Sequence, residues 1–300
     1  MKSTMLRAVS KASLFSKRLV LAQAVVASLA LFLFAASASA GPSVYVVSVG
    51  PSGPEFGTVD LVSGNFHHIA DTAETMSNLV WWHGSLLSLS TSDPLPGYLV
   101  KINPASGEIT PIGPTGLGYN AFDLAEVRGK LYLTDFNNNI YSLDPQTGAA
   151  TFMKATGMLP DPNVPFTTNA DGTFNLCDES FYGVGGELFA TFDSFNIDET
   201  TLVIDENPAN QTVSPALYRI DPLTGAATRV GPTNLTLSSS VEVDGKIYAF
   251  RTPVTGFVDG FPVGFSQLVT LDLATGKTRF IRNVDAATGP IFGAAPVPER

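Results

Sequence analysis

Short apolar runs with polar residues set between them fill the chain after its first 40 residues. Val, Ile, Tyr and Phe are frequent in these runs, as in Asn139-Ile-Tyr-Ser-Leu143 and Gln267-Leu-Val-Thr-Leu271, and such residues favour β-strands. No run after residue 40 has the 3.6-residue spacing of an amphipathic helix. The pattern therefore predicts an all-β protein.

Five of the predicted strands end in turns of one sequence type. An Asp or Asn opens the turn and can accept hydrogen bonds from backbone amides two residues further on, and a Gly occupies a position that needs positive φ. Because a second short strand follows each turn, each turn predicts a β-hairpin. The five turns are Asp60-Leu-Val-Ser-Gly64, Asn103-Pro-Ala-Ser-Gly107, Asp144-Pro-Gln-Thr-Gly148, Asp221-Pro-Leu-Thr-Gly225 and Asp272-Leu-Ala-Thr-Gly276.

A second type of hairpin recurs between these turns, and its own turn contains Gly84, Gly129, Gly186 or Gly245. We name its strands a and b, and those of the first type c and d, so that the chain repeats the order a-b-c-d. Four antiparallel strands in a repeat of about 40 to 50 residues are typical of one blade of a β-propeller.

The repeats predict five blades. The first c–d hairpin is preceded only by a b-like strand, Ser43–Val49, and the last is followed by an a-like strand, Gly289–Val297. We therefore expect a five-bladed β-propeller of four-stranded antiparallel blades, closed by a split blade with strand a from the C-terminus and strands b to d from the mature N-terminus. Closure removes exposed sheet edges. A sixth blade would have to lie between Gly148 and Gly225, which contains one hairpin of each type.

The segment Leu217-Tyr-Arg-Ile-Asp-Pro-Leu-Thr-Gly225 resembles the Leu-Tyr-x-Ile-Asp-Pro-x-Thr-Gly repeats of secreted bacterial β-propellers, which are distantly similar to quinoprotein and sugar-binding propellers. The resemblance covers nearly the whole chain after residue 40. It implies the propeller architecture and no particular activity, because propellers carry many unrelated functions.

The first 40 residues are expected to form a helical signal peptide, which leaves residues 41–300 as a single propeller domain. Five basic residues precede the apolar run Leu19–Phe34, and the small residues Ala38 and Ala40 predict cleavage before Gly41. The run is short for a membrane span, and an uncleaved N-terminal anchor is the alternative. We expect a periplasmic or secreted protein with no stable membrane association after cleavage.

Charge and cysteine content narrow the classes of partner. Without its first 40 residues the chain keeps 12 of its 17 basic residues and all 27 acidic ones, a net charge of −15. Such a surface disfavours binding to nucleic acid. The single cysteine, Cys177, excludes an intrachain disulfide, and three scattered histidines without a cysteine partner do not make a zinc site. We expect an exported monomer.

Variation in segment length is confined to one end of the predicted strands. The a–b and c–d turns stay short on one face of the ring, called the bottom face. The b–c and d–a connections lie on the opposite, top face, and they include the long segments 156–173, 193–215 and 252–266. Long loops on a rigid scaffold usually carry function, so we expect the binding site at the top mouth of the central channel.

Polar residues near the top ends of strands a and b are the candidate ligand-binding residues. Asp178 and Glu179 could hold a cation or perform acid–base chemistry, or they could be solvated loop acids. Oxygen-bearing side chains at residues 193, 196 and 198 alternate as in a calcium loop, without the spacing of an EF-hand. The ligand-binding candidates are Asn78, Asp123, Asp135, Asp178, Glu179, Asp193 and Arg251, and the calcium candidates are Asp193, Asn196 and Asp198.

The sequence contains no catalytic triad motif, zinc-binding motif or phosphate-binding loop. Calcium is the one cofactor for which the sequence offers candidate ligands. The leading hypothesis is a non-enzymatic exported propeller that binds a small molecule, a glycan or a protein through its top-face loops. The alternatives are a hydrolase or lyase acting on carbohydrates or esters, with top-face carboxylates as acid and base, and a structural module of a surface assembly.

Overall fold

The computed structural model describes residues 41–156, 166–168, 173–198, 204–205, 215–258, 261–285 and 289–298. For 166–168, 173–179, 193–198, 204–205, 254–258 and 261–263 the description is limited to the backbone. The predicted signal peptide, residues 1–40, lies outside the described residues. In the described part of the chain, no helix is long and apolar enough to cross a membrane.

The first three blades follow the predicted order of strands. Blade 1 takes its first three strands from β1 (Ser43–Gly50), β2 (Gly53–Asp60) and β3 (Phe66–Asp71). Blade 2 consists of β4 (Met76–Trp82), β5 (Ser85–Ser90), β6 (Tyr98–Ile102) and β7 (Ile109–Pro114). A single 3-10 turn, Gly118–Asn120, leads into blade 3, which consists of β8 (Ala121–Val127), β9 (Lys130–Asp135), β10 (Asn139–Leu143) and β11 (Ala150–Ala155).

The last two blades carry additional short strands. The sheet of blade 4 contains β12 (Phe166–Thr168), β13 (Thr173–Val184), β14 (Glu187–Asp198), β15 (Ile204–Asp205), β16 (Ala216–Ile220) and β17 (Ala227–Pro232). In it, β12 pairs with β13 and β15 pairs with β14. Blade 5 and its appended hairpin, β20–β21, contain β18 (Ser239–Val243), β19 (Lys246–Arg251), β20 (Val254–Val258), β21 (Phe261–Gly264), β22 (Gln267–Leu271) and β23 (Thr278–Asn283). The last described strand is β24 (Ile291–Pro296).

A split blade closes the ring. β24 pairs antiparallel with β1, so that Val44 lies opposite Pro296 and Tyr45 lies opposite Ala295. Blade 1 therefore has the strand order β24-β1-β2-β3. The a strands β24, β4, β8, β13 and β18 neighbour one another around the central channel. The prediction of a five-bladed propeller closed by strand a from the end of the chain is confirmed.

The c–d turns have the hydrogen bonds that their sequence predicts. Asp221 Oδ1 accepts a hydrogen bond of 2.8 Å from the backbone N–H of Leu223, and Asp221 Oδ2 accepts one of 2.8 Å from the Thr224 hydroxyl. Gly225 takes the positive-φ position, with φ of 69°. The hydrogen bonds from Leu223 and Thr224 lower the pKa of Asp221. Each of the five blades contains one turn of this sequence type between its strands c and d. We therefore assign the repeated turn sequence to the folding of the blades.

The apolar core is divided among the interfaces between neighbouring blades. Among the residues whose side chains are described, the buried apolar side chains form five separate clusters, one at each interface. Removal of this apolar surface from water is the main favourable contribution to the stability of each interface. Representative members with less than 2% exposure are Phe56 between blades 1 and 2, Leu89 between 2 and 3, Phe181 between 3 and 4, Phe189 between 4 and 5, and Phe250 between 5 and 1.

Two of the predicted top-face loops contain more strand than the repeat pattern indicated. Residues 193–198 continue β14, with Asp198 opposite Thr173 and Asp193 opposite Asp178. The segment 252–266 contains the hairpin β20–β21. Aromatic and β-branched residues continue past the ends of the blades in both segments, and such residues favour extended backbone. The remaining parts of the three loops, 157–165, 169–172, 199–203, 206–214 and 259–260, lie outside the described residues.

Candidate functional site

One position of strand a recurs six residues before the turn glycine in four blades. It is occupied by polar residues that are all buried, with side chains at most 4% exposed: Asn78, Asp123, Ser180 and Ser239. Gly293 takes the matching position in β24. A Cβ atom on Gly293 would lie 2.7 Å from the Asn78 Cα atom, which is too close for any other residue. We call these five residues the channel layer.

Asn78 connects all five blades. Its Nδ2 donates hydrogen bonds to the carbonyl oxygens of Leu124 at 3.0 Å and Phe181 at 2.7 Å, in blades 3 and 4. Its Oδ1 accepts longer hydrogen bonds of 3.4 Å from the Ser239 hydroxyl in blade 5 and from the backbone N–H of Ala294 in blade 1. The amide therefore closes the centre of the channel with both its donor and its acceptor.

Asp123 occupies the same layer and connects blades 3 and 4. Its Oδ1 accepts a hydrogen bond of 2.8 Å from the backbone N–H of Leu124, and its Oδ2 accepts one of 2.7 Å from the backbone N–H of Phe181. The side chain is 4% exposed. Backbone donors to an ionised carboxylate stabilise the charged form in a buried place.

The channel layer separates two cavities. The top cavity has a volume of about 260 Å³ and includes Asp123 in its lining, whereas the bottom cavity has a volume of about 380 Å³ and includes Asn78. The lining of the top cavity includes the apolar residues Met76, Tyr119, Phe122, Phe136 and Phe292 and the polar residues Ser77, Asp123 and Ser238.

Three aromatic residues of the top cavity belong to blade 3 or to the turn that leads into it: Tyr119 in the 3-10 turn, Phe122 on β8 and Phe136 directly after β9. The ring centroids of Phe122 and Phe136 are 4.6 Å apart, with the rings tilted. Tyr119 is 58% exposed, and its hydroxyl donates a hydrogen bond of 2.8 Å to Asp93 Oδ1. That hydrogen bond raises the pKa of Tyr119. The mouth of the cavity thus combines exposed aromatic surface with hydroxyl and carboxylate groups.

Asp135 and Arg251, both predicted to bind ligand, lie at the ends of b strands. Asp135 is 4% exposed and accepts hydrogen bonds from residues of the following strand β10, including the backbone N–H of Asn139 at 2.9 Å and the Tyr141 hydroxyl at 2.9 Å. Burial and the hydrogen bond to Asp135 raise the pKa of Tyr141 to about 12. Arg251 is half-buried and lies opposite Gln267. Neither is among the residues that line the top cavity.

The predicted carboxylate pair lies on β13, where the description covers the backbone. Asp178 is directly opposite Asp193 of β14, and Glu179 is opposite Phe192. The register therefore brings Asp178 and Asp193 together, which the sequence did not indicate. Opposite residues of an antiparallel pair have Cβ atoms about 4.5 to 5.5 Å apart.

The calcium candidates belong to a regular strand. Asp193, Asn196 and Asp198 all lie on β14, which has extended backbone throughout. In the described part of the chain, no group of three or more His, Cys, Asp or Glu side chains is arranged to hold a metal ion. Because the side chains of these three residues are outside the description, the calcium site stays a prediction.

Sequence reasoning named two members of the channel layer, Asn78 and Asp123, and missed Ser180, Ser239 and Gly293. The constant spacing of six residues to the turn glycine is the signal that would have found the two serines. The sequence reasoning also missed the aromatic residues of the top cavity and the whole bottom cavity. Residues of different blades form both cavities, and no local sequence pattern reports such proximity.

Comparisons with known proteins add little to this description. No protein-family model matches the chain, and no curated protein matches it. Among solved structures, the chain is similar to a crystal structure from Bacteroides fragilis NCTC 9343 whose assignment as a 6-phosphogluconolactonase is provisional. The identity is 12%, the TM-score is 0.42, and the match covers 88% of this chain and 99% of that one. At this level of similarity the propeller fold rests on the strand pairing of the chain itself.

Proposed function

We propose that this propeller is an exported binding protein that takes a small polyhydroxylated ring compound, such as the terminal sugar of a glycan, in its top cavity. The observation that carries the proposal is a cavity of about 260 Å³ with aromatic walls and polar groups, which lies directly above the closed channel layer. Binding pockets of this kind are mostly apolar with a few placed polar groups.

The chemistry of the lining suits a ligand with one apolar face and several hydroxyl groups. Tyr119, Phe122 and Phe136 offer apolar ring surface to the carbon-bound face of such a compound. Ser77, Asp123 and Ser238 add polar groups to the same lining, and a few polar groups placed among apolar ones can orient a ligand that carries hydroxyl groups.

Export is supported by the leader sequence, with its basic start, apolar run and small residues before Gly41. N-terminal sequencing of the protein recovered from the periplasm or the medium tests this step. We expect the sequence to begin at Gly41. Recovery of the protein with Met1 in the membrane fraction would instead support the uncleaved anchor.

A second candidate is a hydrolase or lyase that uses carboxylates of the top face. Its support is the register of β13 and β14, which places Asp178 opposite Asp193, because two neighbouring carboxyl groups can share acid and base roles. Release of product from a panel of aryl glycosides and esters, and loss of that release in Asp178→Asn, would favour this candidate.

Binding is tested by isothermal titration calorimetry with a panel of mono- and disaccharides, first screened by thermal shift. We expect at least one saccharide to raise the melting temperature. The variant Tyr119→Ala should weaken its binding about 3- to 10-fold, since one aromatic contact contributes about 0.5–1.5 kcal/mol. Tyr119 is 58% exposed, so its removal leaves the core intact.

The matched control is Phe280→Ala, which removes an aromatic side chain that is 53% exposed on the outer strand β23. The control should bind as the unmodified protein does. Equal weakening in both variants, or no response to any saccharide of the panel, would overturn the proposal.

A further inference from the structure

The aromatic walls of the top cavity favour a positively charged group on its ligand. The lining includes four aromatic residues, Tyr119, Phe122, Phe136 and Phe292. The face of an aromatic ring is electron-rich and attracts an ammonium group that lies within about 6 Å of the ring centroid. Because the centroids of Phe122 and Phe136 are 4.6 Å apart, both rings can contact one small cationic group.

A carboxylate belongs to the same lining. Asp123 is 4% exposed, and its two oxygens accept hydrogen bonds from the backbone N–H groups of Leu124 and Phe181. These backbone donors stabilise an ionised carboxylate in a buried place. The negative charge acts on a ligand through space, and in surroundings of reduced dielectric such an attraction is stronger than in water.

A second carboxylate lies at the mouth of the cavity. Asp93 is exposed, and its Oδ1 accepts a hydrogen bond of 2.8 Å from the hydroxyl of Tyr119, which lines the cavity. A ligand that contacts the ring of Tyr119 is therefore close to this carboxylate. Negative charge is present both inside the cavity and at its entrance.

Positive charge is scarce in the same region. Among the described residues that line the top cavity there is no Lys, Arg or His. The three long segments assigned to the top face, 156–173, 193–215 and 252–266, contain eight acidic residues and no Lys, Arg or His. Such a charge distribution raises the local concentration of cations, and it disfavours a ligand with a phosphate or carboxylate group.

We propose that the ligand of the top cavity is an amino sugar with a free, protonated amine. This inference rests on the proposed function, because it assigns a charge to the polyhydroxylated ring compound proposed there. The carbon-bound face of the sugar lies on the aromatic wall. Its ammonium group lies near the rings of Phe122 and Phe136, where the charge of Asp123 also attracts it. The probe is D-glucosamine.

Three sugars of one ring type test the inference by isothermal titration calorimetry with the unmodified protein. D-Glucose, D-glucosamine and N-acetyl-D-glucosamine differ at one substituent, which is a hydroxyl, an ammonium group or a neutral amide. At about pH 6.5, where amines are protonated, we expect glucosamine to bind about 3- to 30-fold more tightly than either neutral sugar. The preference should decrease as the salt concentration rises.

A charge-removing variant tests the contribution of the mouth. Asp93→Asn keeps an acceptor oxygen for the Tyr119 hydroxyl and removes the charge of an exposed residue. It should lower the preference for glucosamine over glucose about two- to fivefold. The matched control is Glu108→Gln, which removes the charge of an exposed residue beside a bottom-face turn and should change the preference less than about twofold.

The outcomes separate this inference from the proposed function. Equal affinities for the three sugars, or tighter binding of N-acetylglucosamine than of glucosamine, would overturn the inference and leave a sugar site in place. An equal loss of preference in Asp93→Asn and Glu108→Gln would also overturn it, because the preference would then come from net charge. If no sugar of this series or of the wider panel bound, the proposed function itself would fail.

Discussion

The side-chain amide of Asn78 donates a hydrogen bond of 2.7 Å to the backbone carbonyl of Phe181, which lies two blades further around the ring. A second donor from the same amide reaches Leu124 of the blade between them. Strand a of a blade has an inner edge whose backbone groups face the channel. One side chain therefore satisfies carbonyl groups that would otherwise face an apolar or water-filled centre.

Replacement of Asn78 should destabilise the whole ring. In Asn78→Ala the carbonyl groups of Leu124 and Phe181 lose their partner while they stay buried, and each such loss costs about 1–3 kcal/mol. We expect the melting temperature to fall by about 4–20 °C in a domain of this size, measured by differential scanning calorimetry. Ser239→Ala is the control, since Ser239 makes only a 3.4 Å hydrogen bond to Asn78. Similar losses in the two variants would contradict the central role of Asn78.

Removal of the last ten residues should open the ring. These residues, 291–300, include all of β24, which provides strand a of blade 1. Without it the inner edge of β1 is unpaired and the adjacent apolar cluster loses Ile291 and Ala294. We expect loss of cooperative unfolding and a tendency to aggregate, measured by calorimetry and light scattering. A deletion of residues 298–300, beyond β24, should melt like the full chain. A ten-residue deletion that behaved the same way would contradict closure by β24.

The aspartates of the c–d turns should make stability depend on acid pH. Hydrogen bonds from the backbone of Leu223 and the hydroxyl of Thr224 lower the pKa of Asp221 below its ordinary value of 3.8. A lowered pKa in the folded state gives stability that is present above the unfolded value and lost as the pH falls through the folded value. Asp221→Asn should therefore lower the melting temperature slightly at neutral pH and have no effect at about pH 2. A difference that stayed constant with pH would rule out this linkage.

Glu74 should lower the stability of the folded protein at neutral pH, whereas Asp221 should raise it. It is 7% exposed, its Oε2 has no partner among the described residues, and burial raises its pKa above the ordinary value of 4.5. The folded state thus favours the protonated carboxyl, and its ionisation at neutral pH costs stability. Glu74→Gln should raise the melting temperature at pH 7 by about 2–4 °C, the shift that about 1 kcal/mol produces. The gain should disappear below about pH 4. Lower stability of the variant at pH 7 would contradict this account.

The architecture was largely predictable because its determinants are local. The turn Asp221–Gly225 uses contacts within five residues, and its sequence repeats around the ring, so the number of blades and the split blade could be read from the sequence. The site was less predictable because its determinants are distant. Asn78 and Gly293 lie in different blades, and the need for glycine at residue 293 arises only where the two backbones meet.

The two cavities also depend on contacts between distant parts of the chain, which the sequence does not reveal. Tyr119, Phe136 and Phe292 come from separate parts of the chain and meet only in the folded ring. Asp178 and Asp193 were predicted as separate top-face residues, whereas the register of β13 and β14 makes them a pair. The lengths of the loops pointed to the top face, and they carried no information about a cavity on the bottom face, where the turns are short and alike.

The pairing of β24 with β1 has a consequence for how the chain folds during synthesis. Blades 2 to 5 are each continuous in sequence, so each can form as soon as its own residues are available. Blade 1 is different, because β1 must wait for residues 291–296. This closure joins the most distant parts of the domain, which makes it an entropically costly contact and a slow one. Before β24 pairs with it, β1 exposes a strand edge to other chains. The time until residues 291–296 are synthesised and paired therefore sets how long the unfinished ring can associate incorrectly.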